Sequence, residues 1–121
     1  VLGSDLYVYG GHLGEAHHYS QEGQTGDLLK LDLAKPESWE VVSSGPKRTG
    51  TALVAHGSRL IRVGGFAALN SGSDKEQLES MADVASYDPA TNTWTELTPL
   101  PQGRSSHDAV VLGDQLYVVG G

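Results

Sequence analysis

One segment is written three times in this chain. VLGSDLYVYGG occupies residues 1–11, VLGDQLYVVGG occupies 111–121, and a looser copy, AHGSRLIRVGG, lies at 55–65. Each copy closes on a glycine pair: Gly10-Gly11, Gly64-Gly65 and Gly120-Gly121. Other markers keep the same step along the chain. Trp39 is followed by Trp94, Arg48 by Arg104, and Asp32 by Asp88. Four sets of markers in one order define a repeated unit of about 55 residues, within the range of blade-sized and solenoid repeats. Such a unit constrains the fold more than any single residue can.

Within a unit the pattern is short strands and tight turns. Residues 51–56 and 107–112 read as first strands. Gly57-Ser58 and Gly113-Asp114 follow, with glycine leading as a type II′ hairpin requires. Gly3-Ser4 repeats that turn near the start. Second strands are predicted at 6–9, 60–63 and 116–119. Each runs into Gly-Gly, where the backbone can approach a neighbour closely. Third strands are predicted at 27–33 and 83–87, and fourth strands at 39–42 and 93–97. The turn-forming run DPATNT joins the last two elements of the second unit. Four short strands with tight connections make an antiparallel meander. The second strands are apolar almost throughout, so both sheet faces need cover. Wedges stacked around an axis supply it, which is the β-propeller. A β-sandwich is the competing all-β arrangement, and it has no need of Gly-Gly and Trp in register.

Composition narrows the function classes. Sixteen glycines, 38% hydrophobic and 19% charged residues suit a turn-rich globular protein. A net charge of -7 argues against binding a phosphate backbone. The absence of Cys removes disulfides, thiolate metal sites and a cysteine nucleophile from this chain, and leaves the redox compartment open. No apolar run approaches the ~18 residues of a membrane-spanning helix. No signal peptide is visible, but the chain opens with Val inside a repeat, so a piece of a longer protein is expected.

Gly-Gly after an LYV strand, a Tyr-Asp pair with Trp following, then Arg before the next strand: this order resembles the kelch repeat. The matching residues are LYVVGG at 116–121, YDPATNTW at 87–94 and RSSHDAVVLGDQLYVVGG at 104–121. The resemblance covers the chain apart from two loops. It implies an all-β, kelch-type β-propeller of four-stranded antiparallel blades, incomplete in this chain. Residues 1–42 would supply strands two to four of one blade, 51–97 a full blade, and 107–121 strands one and two of the next. Tyr9, Trp39, Tyr87 and Trp94 are read as packing between blades. Nine strands do not close a propeller, which typically has four to eight blades. The remaining blades are expected from the same longer chain or from copies of it.

Antiparallel order places four connections on one rim: residues 12–26, 66–82, 43–50 and 98–106. The first two are long for hairpin loops, and long loops on a rigid scaffold are where function concentrates. The resemblance puts ligand contacts just after Gly-Gly and at the start of the first strand. Here those residues are His12, Phe66, Arg48, Thr49, Arg104, Ser105 and His107. Arg48 and Arg104 precede equivalent strands, so their guanidiniums are candidates for binding carboxylates of acidic sugars or peptides; a salt bridge within the blade is the alternative. His12, Glu15, His17 and His18 form a minor candidate set for a divalent metal, without any recognised ligand spacing. Ser73–Glu76 fits a capping box and predicts a short helix. Arg62 stands where the sister copies carry Val8 and Val118. The simpler expectation for it is exposure or a channel lining, since a buried Arg requires a carboxylate or water.

The favoured function is a non-enzymatic recognition or scaffold domain binding a protein or glycan through this rim. The alternative is part of a carbohydrate-active enzyme resembling a sialic-acid mutarotase or sialidase. No catalytic residue, cofactor, nucleic-acid partner or membrane span is expected.

Overall fold

The computed structural model describes all 121 residues, and every regular element in it is a strand. In order they are β1 (Asp5–His12), β2 (Gln24–Asp32), β3 (Glu40–Ser44), β4 (Ala52–His56), β5 (Arg59–Val63), β6 (Phe66–Ala68), β7 (Leu78–Ser80), β8 (Val84–Asp88), β9 (Thr93–Leu97), β10 (His107–Leu112) and β11 (Gln115–Gly120). They form a three-stranded sheet β1-β2-β3, a four-stranded sheet β4-β5-β8-β9, a hairpin β10-β11 and a small ribbon β6-β7. All pairings are antiparallel. These are blades of an incomplete propeller. The ribbon β6-β7 was not expected from the sequence; it lies within the second long loop.

The hairpin turns follow from their glycines. Gly3, Gly57 and Gly113 sit at φ values of 59°, 59° and 61°, while the residue after each keeps negative φ. That is the type II′ arrangement, and its twist matches the strands it joins.

Two apolar seams lie between the blades. In the first, Tyr9 and Leu28 of β1 and β2 meet Leu60 and Tyr87 of β5 and β8, with Leu53, Ala55 and Trp94 alongside. The Trp94 ring sits edge-on to Tyr9, with centroids 5.6 Å apart, and its Nε1–H donates to Ser43 Oγ at 3.1 Å across the seam. In the second, Ala52, Val63 and Val84 meet Ala109, flanked by Leu116 and Val118. Beyond the seams the apolar faces are bare. Val8 and Val41 are exposed on the first blade; Val110, Leu112, Tyr117 and Val119 are exposed on the last hairpin. Trp39 precedes β3 and is 46% exposed, whereas Trp94 packs against the rings of Tyr9 and Tyr87. With only 18 of 121 residues buried, these strands lack most of their cover.

Each linker is stitched back onto the blade it leaves before it enters the next. Leaving β3, Gly45 N–H donates to Gly26 O (2.8 Å) and Arg48 N–H to Thr25 O (3.2 Å), and Arg48 O accepts from Gly11 N–H (2.7 Å). Leaving β9, Leu100 N–H donates to Ala82 O (2.8 Å), Arg104 N–H to Met81 O (3.1 Å), and Arg104 O accepts from Gly65 N–H (2.8 Å). At the first two glycine pairs this contact leaves no room for a side chain. A Cβ on Gly10 would stand 2.5 Å from Arg48 O, and one on Gly64 would stand 2.6 Å from Arg104 O.

Arg62 is the correction to the sequence reading. It is neither exposed nor lining a channel; it is 1% exposed and lies in the first seam. Its Nη2 reaches Asp83 Oδ2 at 2.8 Å, its Nη1 donates to Tyr9 Oη at 3.1 Å, and its guanidinium lies 5.0 Å from the Tyr9 and Trp94 ring centres. The Tyr9 hydroxyl in turn donates to Pro46 O at 2.5 Å. Asp83 Oδ1 takes Arg48 at 3.1 Å, so one carboxylate holds two buried guanidiniums. Burial raises the Tyr9 pKa above 10.0, against the lowering pull of Arg62. Burial likewise raises those of Tyr7 and Tyr87, which border the same seam.

Three outcomes are expected when stability of the assembled protein is followed by denaturant titration. Gly10→Ala will cost about 3 kcal/mol or more, and Gly3→Ala only about 1. Both sites have positive φ, but only Gly10 faces a carbonyl. Asp83→Ala, which strands two buried cations, will cost about 3–5 kcal/mol; the double change Tyr9→Val with Arg62→Val will cost less than half of that. Raising pH above 10.0 will lower stability, because the unfolded chain ionises its tyrosines before the folded seam does. The loss will be smaller in Tyr9→Phe.

Candidate functional site

The rim that carries the long loops is built by two irregularities. A bulge between Tyr9 and Gly11 lets β1 continue past the glycine pair, so that His12 pairs with Gln24. Thr49 pairs with Phe66, which binds the linker between blades to the start of the second loop. Buried Gln24 then ties three segments together. Its Nε2 donates to Thr49 Oγ1 (2.8 Å) and Phe66 O (3.3 Å), and its Oε1 accepts from Ala68 N–H (2.8 Å).

The two loops belong to different blades yet form one surface. Gln21 N–H donates to Asn70 O (3.0 Å) and Gln21 Nε2 to Leu69 O (2.6 Å). Tyr19 N–H donates to Glu76 Oε2 (3.0 Å), and Ser71 Oγ donates to Glu22 Oε1 (2.8 Å). Buried Asn70 donates to Tyr19 O and Ser71 O and accepts from Gln77 N–H. Aromatic rings run through the junction: His12 to Tyr19 at 4.7 Å, then Tyr19 to Phe66 at 5.0 Å and near-perpendicular. Backbone N–H groups, its own first, and the Ser71 hydroxyl hold the Glu22 carboxyl below the usual range. Between the loops is one concavity of about 240 Å³, lined by His18, Tyr19, Ser20, Asn70, Gly72, Asp74 and Glu76.

The expected site residues fall into two groups. Arg48 is buried on Asp83 and its Nη1 donates to Lys47 O (2.8 Å); it faces inward, and its salt bridge runs from the linker to the next blade. Arg104 Nη1 donates to Gly120 O at 2.9 Å. Thr49 accepts from Gln24, Ser105 Oγ meets Ser80 Oγ at 2.8 Å, and the His107 Nε2–H donates to Val63 O at 2.9 Å. His12 Nε2–H donates to Glu15 O at 2.7 Å. His12 and Phe66 contribute to the loop junction itself, and Thr49 borders it through Gln24 and Phe66. His12, Glu15, His17 and His18 do not converge into a group of three ligating side chains. No helix forms at Ser73–Glu76. The Glu76 carboxylate caps Tyr19 N–H instead of its own turn, and Leu69 N–H donates to Gln77 O, which closes the β6-β7 ribbon.

Sequence reasoning missed Gln24, Asn70 and Asp83. The first two lie where the two units differ, so no repeat marks them. Asp83 did carry a signal: Asp27 stands one full unit before it.

With this geometry in view, relatives can be weighed. The family profile KLHDC2/KLHL20/DRC7 Kelch-repeats domain matches residues 1–121. The chain is 31% identical over 121 residues to Kelch-like protein 35 of Mus musculus, covering all of this chain and 18% of that protein. It is 36% identical over 129 residues to Kelch-like protein 15 of Danio rerio, covering all of this chain and 21% of that one. The solved structure of YjhT superposes with a TM-score of 0.70 at 24% identity, over 98% of this chain and 31% of that chain, which supports the fold. The chain thus spans about a fifth of the length of these curated relatives. Its profile match, repeat unit and blade geometry agree: this chain belongs to the kelch-repeat family.

Proposed function

We propose that these blades are part of a protein-recognition and scaffold domain, and that the partner is engaged on the rim of the two long loops. The observation that carries this is the pairing of loops from different blades into one preformed surface, with large apolar side chains left outside it. Leu13 is 74% exposed on the first loop, and Leu69 and Leu78 are exposed on the second. Exposed aliphatic anchors on a rigid, hydrogen-bonded frame are what a protein interface needs, because little ordering entropy is lost on binding. The kelch-like relatives are consistent with an interaction role. Arg48 is buried on Asp83, which takes it out of the acidic-ligand version of the reading.

Co-purification of partners with the assembled protein, quantified by mass spectrometry, tests this. Leu13→Asp with Leu69→Asp will reduce specific partners by about tenfold or more. Asp114→Lys, on the hairpin turn of the opposite rim, will leave them unchanged. Loss on the opposite rim with retention on the loop rim contradicts the proposal.

A further inference from the structure

We infer that the open edge of β1 is an interaction surface for a second copy of this chain, which lays its β10 along that edge in place of its own β11. Copies joined in this way run head to tail. The sheets concerned are complementary. The sheet β1-β2-β3 corresponds to β5-β8-β9 of the complete blade and lacks the counterpart of β4. β10 is such a counterpart, one unit after β4. Apart from the Leu2–Asp5 bridge, the outer edge of β1 is unpaired.

β10 already pairs with a strand of nearly the right sequence. Residues 111–121 differ from residues 1–11 only at positions 114, 115 and 119. Carrying the register of β10 on β11 over to β1 sets Ala109 opposite Val8, Val110 opposite Tyr7 and Val111 opposite Leu6. β10 meets the same residue types now, at Val118, Tyr117 and Leu116. Val111-Leu112 then replace the identical Val1-Leu2. Exchanging an element for its near-copy is a low-cost route to association. The exchange also covers an apolar row. Val8, Leu29 and Val41 are partners across the first sheet, and Val8 and Val41 are exposed. Ala109 extends that row, and Ala109 packs on Ala52, Val63 and Val84 of its own copy.

Charge selects the same joint. Arg48, ahead of β4, reaches Asp83, ahead of β8. Arg104 stands one unit after Arg48, and Asp27 one unit before Asp83. Arg104 is bonded only to a carbonyl, Gly120 O. Asp27 is exposed and joins no cation; Lys30, the one cation of β2, is turned to Glu40 at 4.0 Å. With β10 on β1, Arg104 of one copy meets Asp27 of the next as Arg48 meets Asp83, and Gly10 O stands in for Gly120 O. β11 is the strand that yields, because its Val119 occupies the place of Tyr9, and Tyr9 supplies the hydroxyl that Arg62 holds. Each copy then contributes two blades, so about two to four copies close a propeller of typical size.

Light scattering of the 121-residue chain over a dilution series, with hydrogen exchange on the same samples, tests this. Assemblies of about two to four copies of the 12.8 kDa chain are expected. In them the amides of Gln115–Gly120 will lose protection while those of β10 keep it. Arg104→Asp or Asp27→Arg alone will weaken association about tenfold or more. Both changes in one chain will restore it, since every joint then carries the reversed pair. A monomer at all concentrations, assembly with β11 still protected, assembly indifferent to the single reversals, or single losses that the double change fails to rescue would overturn the inference. None of these results bears on the leucine anchors of the loop rim, whose separate test stands.

Discussion

The carbonyl of one arginine, seated on a pair of glycines, is the contact on which the rest of this structure depends. Arg48 places its C=O against Gly10 and accepts the Gly11 N–H; Arg104 does the same at Gly64 and Gly65. The approach is too close for any side chain at the first glycine, and the second must present its N–H at positive φ. Strand order, blade spacing and the position of the rim all follow from where that carbonyl lands. The same residue then sends its guanidinium forward to Asp83 in the next blade. Backbone and side chain of Arg48 thus bind two consecutive blades, and a substitution that kept only one of these functions would leave the other half of the joint loose.

The first seam departs from the repeat in two places that are really one. Position 62 is Arg where the sister copies have Val8 and Val118, and position 9 is Tyr where they have Val63 and Val119. The two departures face each other: Tyr9 Oη takes Arg62, Arg62 holds Asp83, and both pack on Trp94. In the second seam, the equivalent Val63 and Val118 share an apolar cluster. A buried ion pair seldom adds stability over a well-packed apolar pair of similar volume, because two charges must leave water. Its effect here is to make the seams unlike: Arg62 opposite a valine would lack its hydroxyl partner, and Tyr9 opposite Val118 would lack its guanidinium.

Much of this was legible in the residues. The strand periods, the glycine-led turns and the repeat of Gly-Gly, Trp and Arg lead to blades, because each is a local requirement that recurs at one spacing. The side chains of the rim were not legible. Arg48 and Arg104 stood both as carboxylate-binding candidates and as structural salt-bridge residues, because equivalent spacing in a repeat fits a shared ligand role and a repeated structural job alike. Arg62 read as a solvent-facing exception because its partners, Tyr9 and Asp83, are distant in sequence and meet it only across a seam. The capping-box pattern at Ser73–Glu76 was overridden by a tertiary bond, Tyr19 N–H to Glu76. The β6-β7 ribbon and the anchors Gln24 and Asn70 lie where the units differ in length, so periodicity gives them no mark.

Native-state hydrogen exchange at the glycine pairs of the assembled protein tests the central contact most directly. If the arginine carbonyls hold the blades, the Gly11 and Gly65 amides will exchange only as slowly as the innermost strand amides, through cooperative opening. Exchange at those two amides near the rate of unprotected backbone, with the strands still protected, would contradict the account.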